Sequence, residues 1–194
     1  MPGNEVYLVA GLGNPGSDYA TTRHNAGFLA VDALAEAFKI SVQRKKFDTI
    51  YGRGRIGGVD TFLVKPQSYM NRSGPPLQRL ANYFGIQRKA MVIVHDDIDL
   101  AFKRLKIKEK GGDGGHKGIR SIIDAFGDGD FTRVRLGVGR SERSDNVVGH
   151  VLGPFNREEQ SQLSDFLLKA CDSIVTILTE GTKIAMNQYN QKSS

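Results

Sequence analysis

One histidine stands in a setting that suits acid–base chemistry. His24 lies in the polar segment Thr22-Arg23-His24-Asn25, which follows a short apolar run and a glycine-bounded turn. Asp96 follows a second apolar run, residues 91–94. Strand ends in an open α/β sheet converge on the crevice that binds ligands. There a carboxylate can accept one imidazole N–H and leave the other nitrogen to take a proton from water. We therefore expect His24 and Asp96 to form a hydrolytic pair that requires no cofactor.

The first glycine segment, Gly11-Leu12-Gly13-Asn14-Pro15-Gly16, formally matches a dinucleotide-binding fingerprint. That fingerprint requires a helix that opens inside the glycine pattern and an acidic residue about 20 positions later. Here Pro15 and a polar stretch delay the helix, and the acidic candidate Asp32 falls inside it. A tight turn is the better interpretation than nicotinamide binding, although a turn does not explain Asn14.

Other catalytic arrangements have weaker support. No Gly-x-Ser-x-Gly elbow occurs, and Cys171 falls beside the apolar stripe of a predicted helix, which favours a packing role. Possible metal ligands cluster after the second apolar run: His95, Asp96, Asp97 and Asp99. His116 is available elsewhere, but neither a second histidine at helical spacing nor a cysteine accompanies the cluster. We expect no metal site, and a metal-dependent phosphodiesterase is kept as an alternative.

The order of predicted elements indicates how these side chains are positioned. Apolar runs alternate with helical stripes, which predicts an α/β domain over residues 1–190, followed by a flexible polar tail at 191–194. Gly57-Gly58 predicts a hairpin turn, and Pro75 predicts the start of a helix that runs to Phe84. The last long helix is predicted to end at Gly181. We expect residues 140–156 to form a long mobile loop that acts as a lid.

The charge balance favours a polyanionic partner. Lys and Arg number 27 against 21 acidic residues, a net charge of +6. Lys106 and Lys108 share one face of a predicted strand, and Arg133 and Arg135 share one face of another. If these strands are neighbours, the four side chains form a patch that can hold a phosphate. The glycines in 111–118 add backbone donors, but the Gly-Lys-Ser/Thr ending of a nucleotide-triphosphate loop is missing.

Targeting signals are not evident in the sequence. The apolar runs are too short to span a bilayer, and the first residues lack the basic region of a secretory signal. A single cysteine cannot form an internal disulfide. We therefore expect a cytoplasmic protein that does not contact a membrane.

Taken together, the segments resemble the bacterial peptidyl-tRNA hydrolase family. Five motifs occur in that family's order, and the closing segment at 147–153 also fits. The motifs are Gly11-Leu12-Gly13-Asn14-Pro15-Gly16, Tyr19-x-x-Thr22-Arg23-His24-Asn25-x-Gly27, Lys65-Pro66-x-x-Tyr69-Met70-Asn71-x-Ser73-Gly74, His95-Asp96-Asp97-x-Asp99-Leu100 and Gly111-Gly112-x-Gly114-Gly115-His116-x-Gly118. The resemblance implies a mixed central β-sheet flanked by helices, a monomer without an obligate protein partner, and no cofactor or metal. It implies cleavage of the ester between a peptide and the 3′ ribose of tRNA, which recycles tRNA.

The resemblance also implies roles for single residues. His24 would be the base that activates water, Asp96 would keep it basic, and Asn14 would contact the peptide part of the substrate. The remaining implied contacts are with peptidyl-tRNA, its acceptor stem and its 3′ end: Tyr19, Tyr69, Met70, Asn71, Lys106, Lys108, Lys117 and Arg135. An RNA-binding relative that has lost turnover is the alternative, but binding alone would not require the His24–Asp96 pair.

One position departs from the family pattern. The family has Asn after the histidine of the last glycine motif, and this sequence has Lys117. An amide both donates and accepts hydrogen bonds, whereas an ammonium only donates and adds a charge. Lys117 is therefore expected to contact a phosphate, and the water-positioning role of the family's amide is not carried over. Tyr69 stands where the family has an aromatic residue, often phenylalanine.

Overall fold

The computed structural model describes residues 5–141 and 145–191. Part of the predicted loop at 140–156 and most of the predicted tail at 191–194 lie outside these residues. The strands are β1 (Tyr7–Gly11), β2 (Arg44–Lys46), β3 (Thr49–Ile56), β4 (Val59–Pro66), β5 (Met91–Asp97), β6 (Leu105–Lys108) and β7 (Thr132–Gly137). The helices are α1 (Ala26–Ala37), α2 (Gly74–Phe84), α3 (Lys117–Phe126), α4 (Val147–Val151), α5 (Arg157–Glu180) and α6 (Thr182–Tyr189).

The seven strands form one mixed sheet in the order β2-β3-β4-β1-β5-β7-β6. The four central strands β4, β1, β5 and β7 run parallel, while β2, β3 and β6 add antiparallel pairings at the edges. The predicted hairpin across Gly57-Gly58 joins β3 to β4. The predicted mixed sheet flanked by helices is confirmed.

Helices cover both faces of the sheet. Side chains of α1, α5 and α6 pack with Val9 on one face, whereas those of α2 and α3 pack with Leu8 and Ala10 on the other. Strand β5 is buried from Met91 to Asp96, as expected for a central strand covered on both sides. No helix within the described ranges is long and apolar enough to cross a membrane.

A close approach between two glycines positions the start of α1. A Cβ atom on Gly11 would collide with the carbonyl oxygen of Gly27, and one on Gly27 would collide with that of Val94. Because neither glycine carries a side chain, the first turn of α1 lies directly against the ends of β1 and β5. The preceding short 3₁₀ turn, Arg23–Asn25, is thereby brought over the end of the sheet.

Two parts of the chain differ from the sequence-based expectation. The predicted loop at 140–156 contains helix α4, whose Asn146 side chain accepts a hydrogen bond from the N–H of Gly149 at 2.9 Å. The last long helix ends before Gly181 as predicted, but the further helix α6 follows it. Asn190, at the end of α6, exchanges two hydrogen bonds with the backbone of Ile107 and so covers the outer edge of β6.

Candidate active site

A groove of approximately 730 Å³ lies at the C-terminal ends of the parallel strands. Most of the site residues expected from the sequence line it: Asn14, His24, Tyr69, Met70, Asn71, Asp96, Lys108, Lys117 and Arg135. Tyr19 lies beside it, with its ring edge-on to Tyr69 at a centroid distance of 6.5 Å. Lys106 does not line the groove. Residues from several strands, helices and loops thus meet at one end of the sheet, as the topology of an open α/β sheet favours.

His24 and Asp96 are in direct contact. Nδ1 of His24 lies 3.0 Å from Oδ1 and 2.9 Å from Oδ2 of Asp96. The Asp96 side chain is 2% exposed and that of His24 is 14% exposed. Because a carboxylate only accepts hydrogen bonds, Nδ1 carries the hydrogen and Nε2 keeps its lone pair. The pairing expected from the sequence is therefore present, and Nε2, which has no hydrogen-bond partner among the residues that the structure describes, is available as a base.

His116 is a second donor to the same carboxylate, which sequence reasoning missed. Its Nδ1 accepts hydrogen bonds from the backbone N–H of Gly118 at 3.1 Å and of Ile119 at 3.3 Å, and so caps α3. The hydrogen is therefore on Nε2, which lies 2.8 Å from Oδ1 of Asp96. The signal in the sequence was a histidine at the start of a helix that follows a glycine-rich segment.

These contacts fix the charge states in the floor of the groove. Burial raises the pKa of the Asp96 carboxyl, but the electrostatic interaction and hydrogen bond with His116, followed by those with His24, hold this pKa below the ordinary value. His95 is buried next to it, and burial together with His116 lowers its pKa to about 3. Its Nδ1 lies 2.8 Å from the carbonyl oxygen of Asp96. Asp96 is therefore an anion and His95 is neutral.

Asn14 is oriented by bonds on three sides. Its Oδ1 accepts from the N–H of Met70 at 2.7 Å, and its backbone exchanges bonds of 2.9 and 3.0 Å with the side chain of Asn25. Within residues 5–141 and 145–191, its amide nitrogen Nδ2 has no hydrogen-bond partner. Asn14 lines the groove, so this NH₂ group can donate to a bound molecule. Asn71 and Tyr69 lie at the exposed rim, while Met70 is buried beneath them.

Strands β6 and β7 are neighbours, as the phosphate-patch prediction required. Lys106 lies opposite Arg135, and Lys108 lies opposite Arg133. Nε of Arg135 donates to Oδ2 of Asp97 at 2.6 Å, which orients its guanidinium at the groove. Lys106 and Lys108 are exposed. Three cations, rather than four, therefore face solvent in this patch.

Arg133 has a different role from the one expected. The residue is only 3% exposed, and its guanidinium donates to the backbone carbonyls of Gly111, Gly112 and Gly129. Its guanidinium also lies 4.6 Å from the ring centroid of Phe131. The buried guanidinium of Arg133 thus stabilises the glycine-rich segment that leads to His116 by hydrogen bonds to its backbone.

The groove is lined by both apolar and basic side chains. Helix α4 and the residue after it contribute apolar ones: Val147, Val148, Val151 and Leu152. Lys117, the first residue of α3, also lines the groove and is exposed. Arg140 also lines the groove and forms a 2.6 Å ion pair with Asp99.

Among the described residues, one group could hold a metal ion: His24, Asp96 and His116. Their nearest ligand atoms lie within 4.8 Å of one another. Nδ1 of His24 and Nε2 of His116 both carry a hydrogen that they donate to Asp96. A metal ion bound there would have to replace both of these hydrogen bonds. Hydrogen bonding satisfies the carboxylate without an ion.

Comparisons with known proteins agree with these features. The family model for peptidyl-tRNA hydrolase matches residues 8–194. A peptidyl-tRNA hydrolase of Syntrophotalea carbinolica is 44% identical over 185 residues, covering 95% of this chain and 97% of the relative. One from Clostridium perfringens is 43% identical, with 95% and 97% covered. The crystal structure of the peptidyl-tRNA hydrolase from Acinetobacter baumannii has a TM-score of 0.89 at 40% identity, with 97% of this chain and 96% of that chain covered. The chain belongs to the peptidyl-tRNA hydrolase family.

Proposed function

We propose that this protein hydrolyses the ester bond that joins the C-terminus of a peptide to the 3′ ribose of tRNA. Membership of the family supports the substrate class. The single observation that supports the chemistry is the His24–Asp96 contact of 2.9 Å, which leaves Nε2 of His24 without a partner among the described residues that line the groove. The products are a peptide and a free tRNA, which returns to translation.

The proposed reaction begins when Nε2 of His24 takes a proton from water. The water oxygen attacks the ester carbonyl carbon, and the Asp96 carboxylate stabilises the imidazolium that forms. The Nδ2 group of Asn14 donates to the developing negative charge on the carbonyl oxygen. The bond from carbon to the ribose oxygen then breaks, and the imidazolium returns its proton to that oxygen. No step requires a metal or a cofactor.

The proposed substrate contacts involve the terminal nucleotide, the phosphates and the acyl chain. Tyr19, Tyr69, Met70 and Asn71 contact the terminal nucleotide and the adjoining peptide. Lys106, Lys108 and Arg135 bind phosphate at the acceptor stem, since cations grouped on neighbouring strands attract phosphates, and the ion pair with Asp97 orients Arg135 for this contact. Lys117 adds a further phosphate contact at the rim. The apolar side chains of α4 receive the acyl chain, because apolar side chains bury best against an apolar wall.

A monomer that acts in the cytoplasm is part of the same proposal. One chain supplies every residue assigned above, so the site does not depend on a second copy or on another protein. The single cysteine, Cys171, is buried and unpaired, which suits a reducing compartment.

A tRNA-release assay tests the proposed function. Purified protein is incubated with an N-acetyl-aminoacyl-tRNA and, separately, with the free aminoacyl-tRNA, each with and without EDTA. We expect rapid cleavage of the N-blocked substrate, slower cleavage of the free one, and no effect of EDTA. Binding of the tRNA without cleavage would support an RNA-binding protein instead, and loss of cleavage in EDTA would support a metal-dependent hydrolase.

A further inference from the structure

We propose that Arg23 is a positioning residue that fastens the α4 wall of the groove to the loop that carries His24. This coupling would fix the width of the groove on its acyl side and so contribute to recognition of bulky acyl chains. The inference rests on the proposed function, because it assigns a specificity role within that reaction.

The side chain of Arg23 is a buried cation with two separate partners. Its Nη2 lies 2.7 Å from Oε2 of Glu159, and its Nη1 donates to the carbonyl oxygen of His150 at 3.2 Å. The side chains of Arg23 and Glu159 are only 11% and 13% exposed. An ion pair so removed from water depends on the fit of both partners, because loss of one leaves the other charge uncompensated.

Both partners belong to the segment that carries the groove wall. His150 lies in α4, and Glu159 lies in the first turn of α5. The same Oε2 atom of Glu159 also accepts from the backbone N–H of Asn156 at 2.8 Å, as part of a capping box. Arg23 therefore holds the end of α4 and the start of α5 through one guanidinium.

Backbone contacts extend the same attachment. The N–H of Arg23 donates to the carbonyl oxygen of Gly153 at 3.0 Å, and Thr22 forms an isolated β-bridge with Pro154. The ring centroid of Phe155 lies 5.8 Å from the guanidinium carbon of Arg23. Side chain and backbone thus lock the loop after α4 against the residues just before His24.

The catalytic histidine lies between two fixed neighbours. Asn25 is bonded to Asn14, and Arg23 is bonded to the α4–α5 junction, so the residues on both sides of His24 are tied to other parts of the groove. On its far side, α4 is also held by the Nε2 of His150, which lies 3.2 Å from the carbonyl oxygen of Val138. Loss of the Arg23 side-chain contacts would leave this attachment and the backbone contacts at Gly153 and Pro154 in place, so α4 would shift about them rather than detach.

The test compares two substrates on the same tRNA, one with a small acyl group and one with a bulky apolar acyl dipeptide. Values of kcat and KM are measured for the wild type, Arg23→Met and the control Arg53→Met. Arg53 forms a more exposed ion pair with Asp60, at 47% and 33%, and does not line the groove, so its loss removes an arginine ion pair without touching the α4 wall. Thermal unfolding reports whether each variant is folded.

We expect Arg23→Met to lower kcat/KM for the bulky substrate about tenfold more than for the small one, mainly through KM. Arg23→Lys keeps one contact and should fall between wild type and Arg23→Met, and it provides the test if Arg23→Met does not fold. Arg53→Met should leave the ratio unchanged. Equal losses on both substrates would overturn the inference and mark Arg23 as purely structural. Failure of the wild type to cleave either substrate would instead refute the proposed function.

Discussion

Nε2 of His116 and Nδ1 of His24 donate to the same carboxylate, that of Asp96, at 2.8 and 2.9 Å. The tautomer of His116 is fixed by the backbone of α3, which donates to its other nitrogen. Asp96 therefore accepts on both sides and has no capacity to donate. Its negative charge orients His24 and stabilises the imidazolium that forms when His24 takes a proton.

Asp96→Asn should lower kcat by about 10²–10⁴-fold, the range associated with general acid–base catalysis. An amide has no charge, and its NH₂ group would face an imidazole N–H, which forces one histidine into another tautomer. Single-turnover kinetics measure the effect, with Asp60→Asn at the exposed Arg53 pair as the control. A rate for Asp96→Asn equal to that of the control would contradict the assigned role of the carboxylate.

His95 should make stability depend on pH between about 7 and 5. Its pKa is lowered to about 3 by burial, so the unfolded chain binds a proton that the folded chain does not. Its contribution is complete above the ordinary pKa and is lost as the pH falls from there toward 3. We expect the free energy of unfolding to drop by about 2 kcal/mol between pH 7 and pH 5 on this account. Urea unfolding of His95→Gln should show a flatter profile, and an equally steep one would refute the assignment.

Gly27→Ala should be far more damaging than Gly118→Ala. At Gly27 a Cβ would strike the backbone of Val94 and Leu12, which cannot move without shifting the sheet. At Gly118 the nearest atoms belong to the side chains of Met70, Leu12 and His116, which can adjust more readily than backbone. We expect a loss of about 3 kcal/mol or more for Gly27→Ala and about 1 kcal/mol for Gly118→Ala. Thermal and urea unfolding compare the two, and similar losses would show that the close approach is not decisive.

Much of the strand and helix pattern could be predicted from the sequence, because most elements have a clear local signal, but helix α6 was not expected. The hairpin at Gly57-Gly58 and the helix after Pro75 depend on turn and cap chemistry, which neighbouring residues determine. Helix α4 could not be predicted in this way. It has five residues and is held by long-range contacts such as that between Arg23 and His150.

The same distinction applies to the site. The His24–Asp96 contact was expected, because both residues follow buried strands whose ends converge. The structural role of Arg133 was not expected, because strand alternation shows only that Arg133 and Arg135 share a face. Which of two cations turns inward depends on the glycine-rich segment above them, whose carbonyls need donors.

Lys117→Asn should change apparent tRNA affinity more than turnover. The ammonium lies on an exposed rim of the groove, where it can contact a phosphate but does not touch Asp96 or His24. Each phosphate contact contributes to the salt dependence of binding, so the variant should also show a shallower slope of log affinity against log salt. Affinity is measured with a non-hydrolysable tRNA analogue. Lys106→Gln, at another proposed phosphate contact, shows the size of the affinity and salt effects to compare. A large drop in turnover with unchanged affinity would refute the phosphate contact.

The most direct test of the central claim is the single-turnover cleavage rate of an N-acyl-aminoacyl-tRNA by the wild type and by His24→Ala. Saturating enzyme removes differences in binding, so the rate reports the chemical step alone. If His24 is the base that activates water, its removal should lower that rate by about 10²–10⁴-fold while tRNA affinity and thermal stability stay close to those of the wild type. Comparable single-turnover rates for the two proteins would contradict the mechanism.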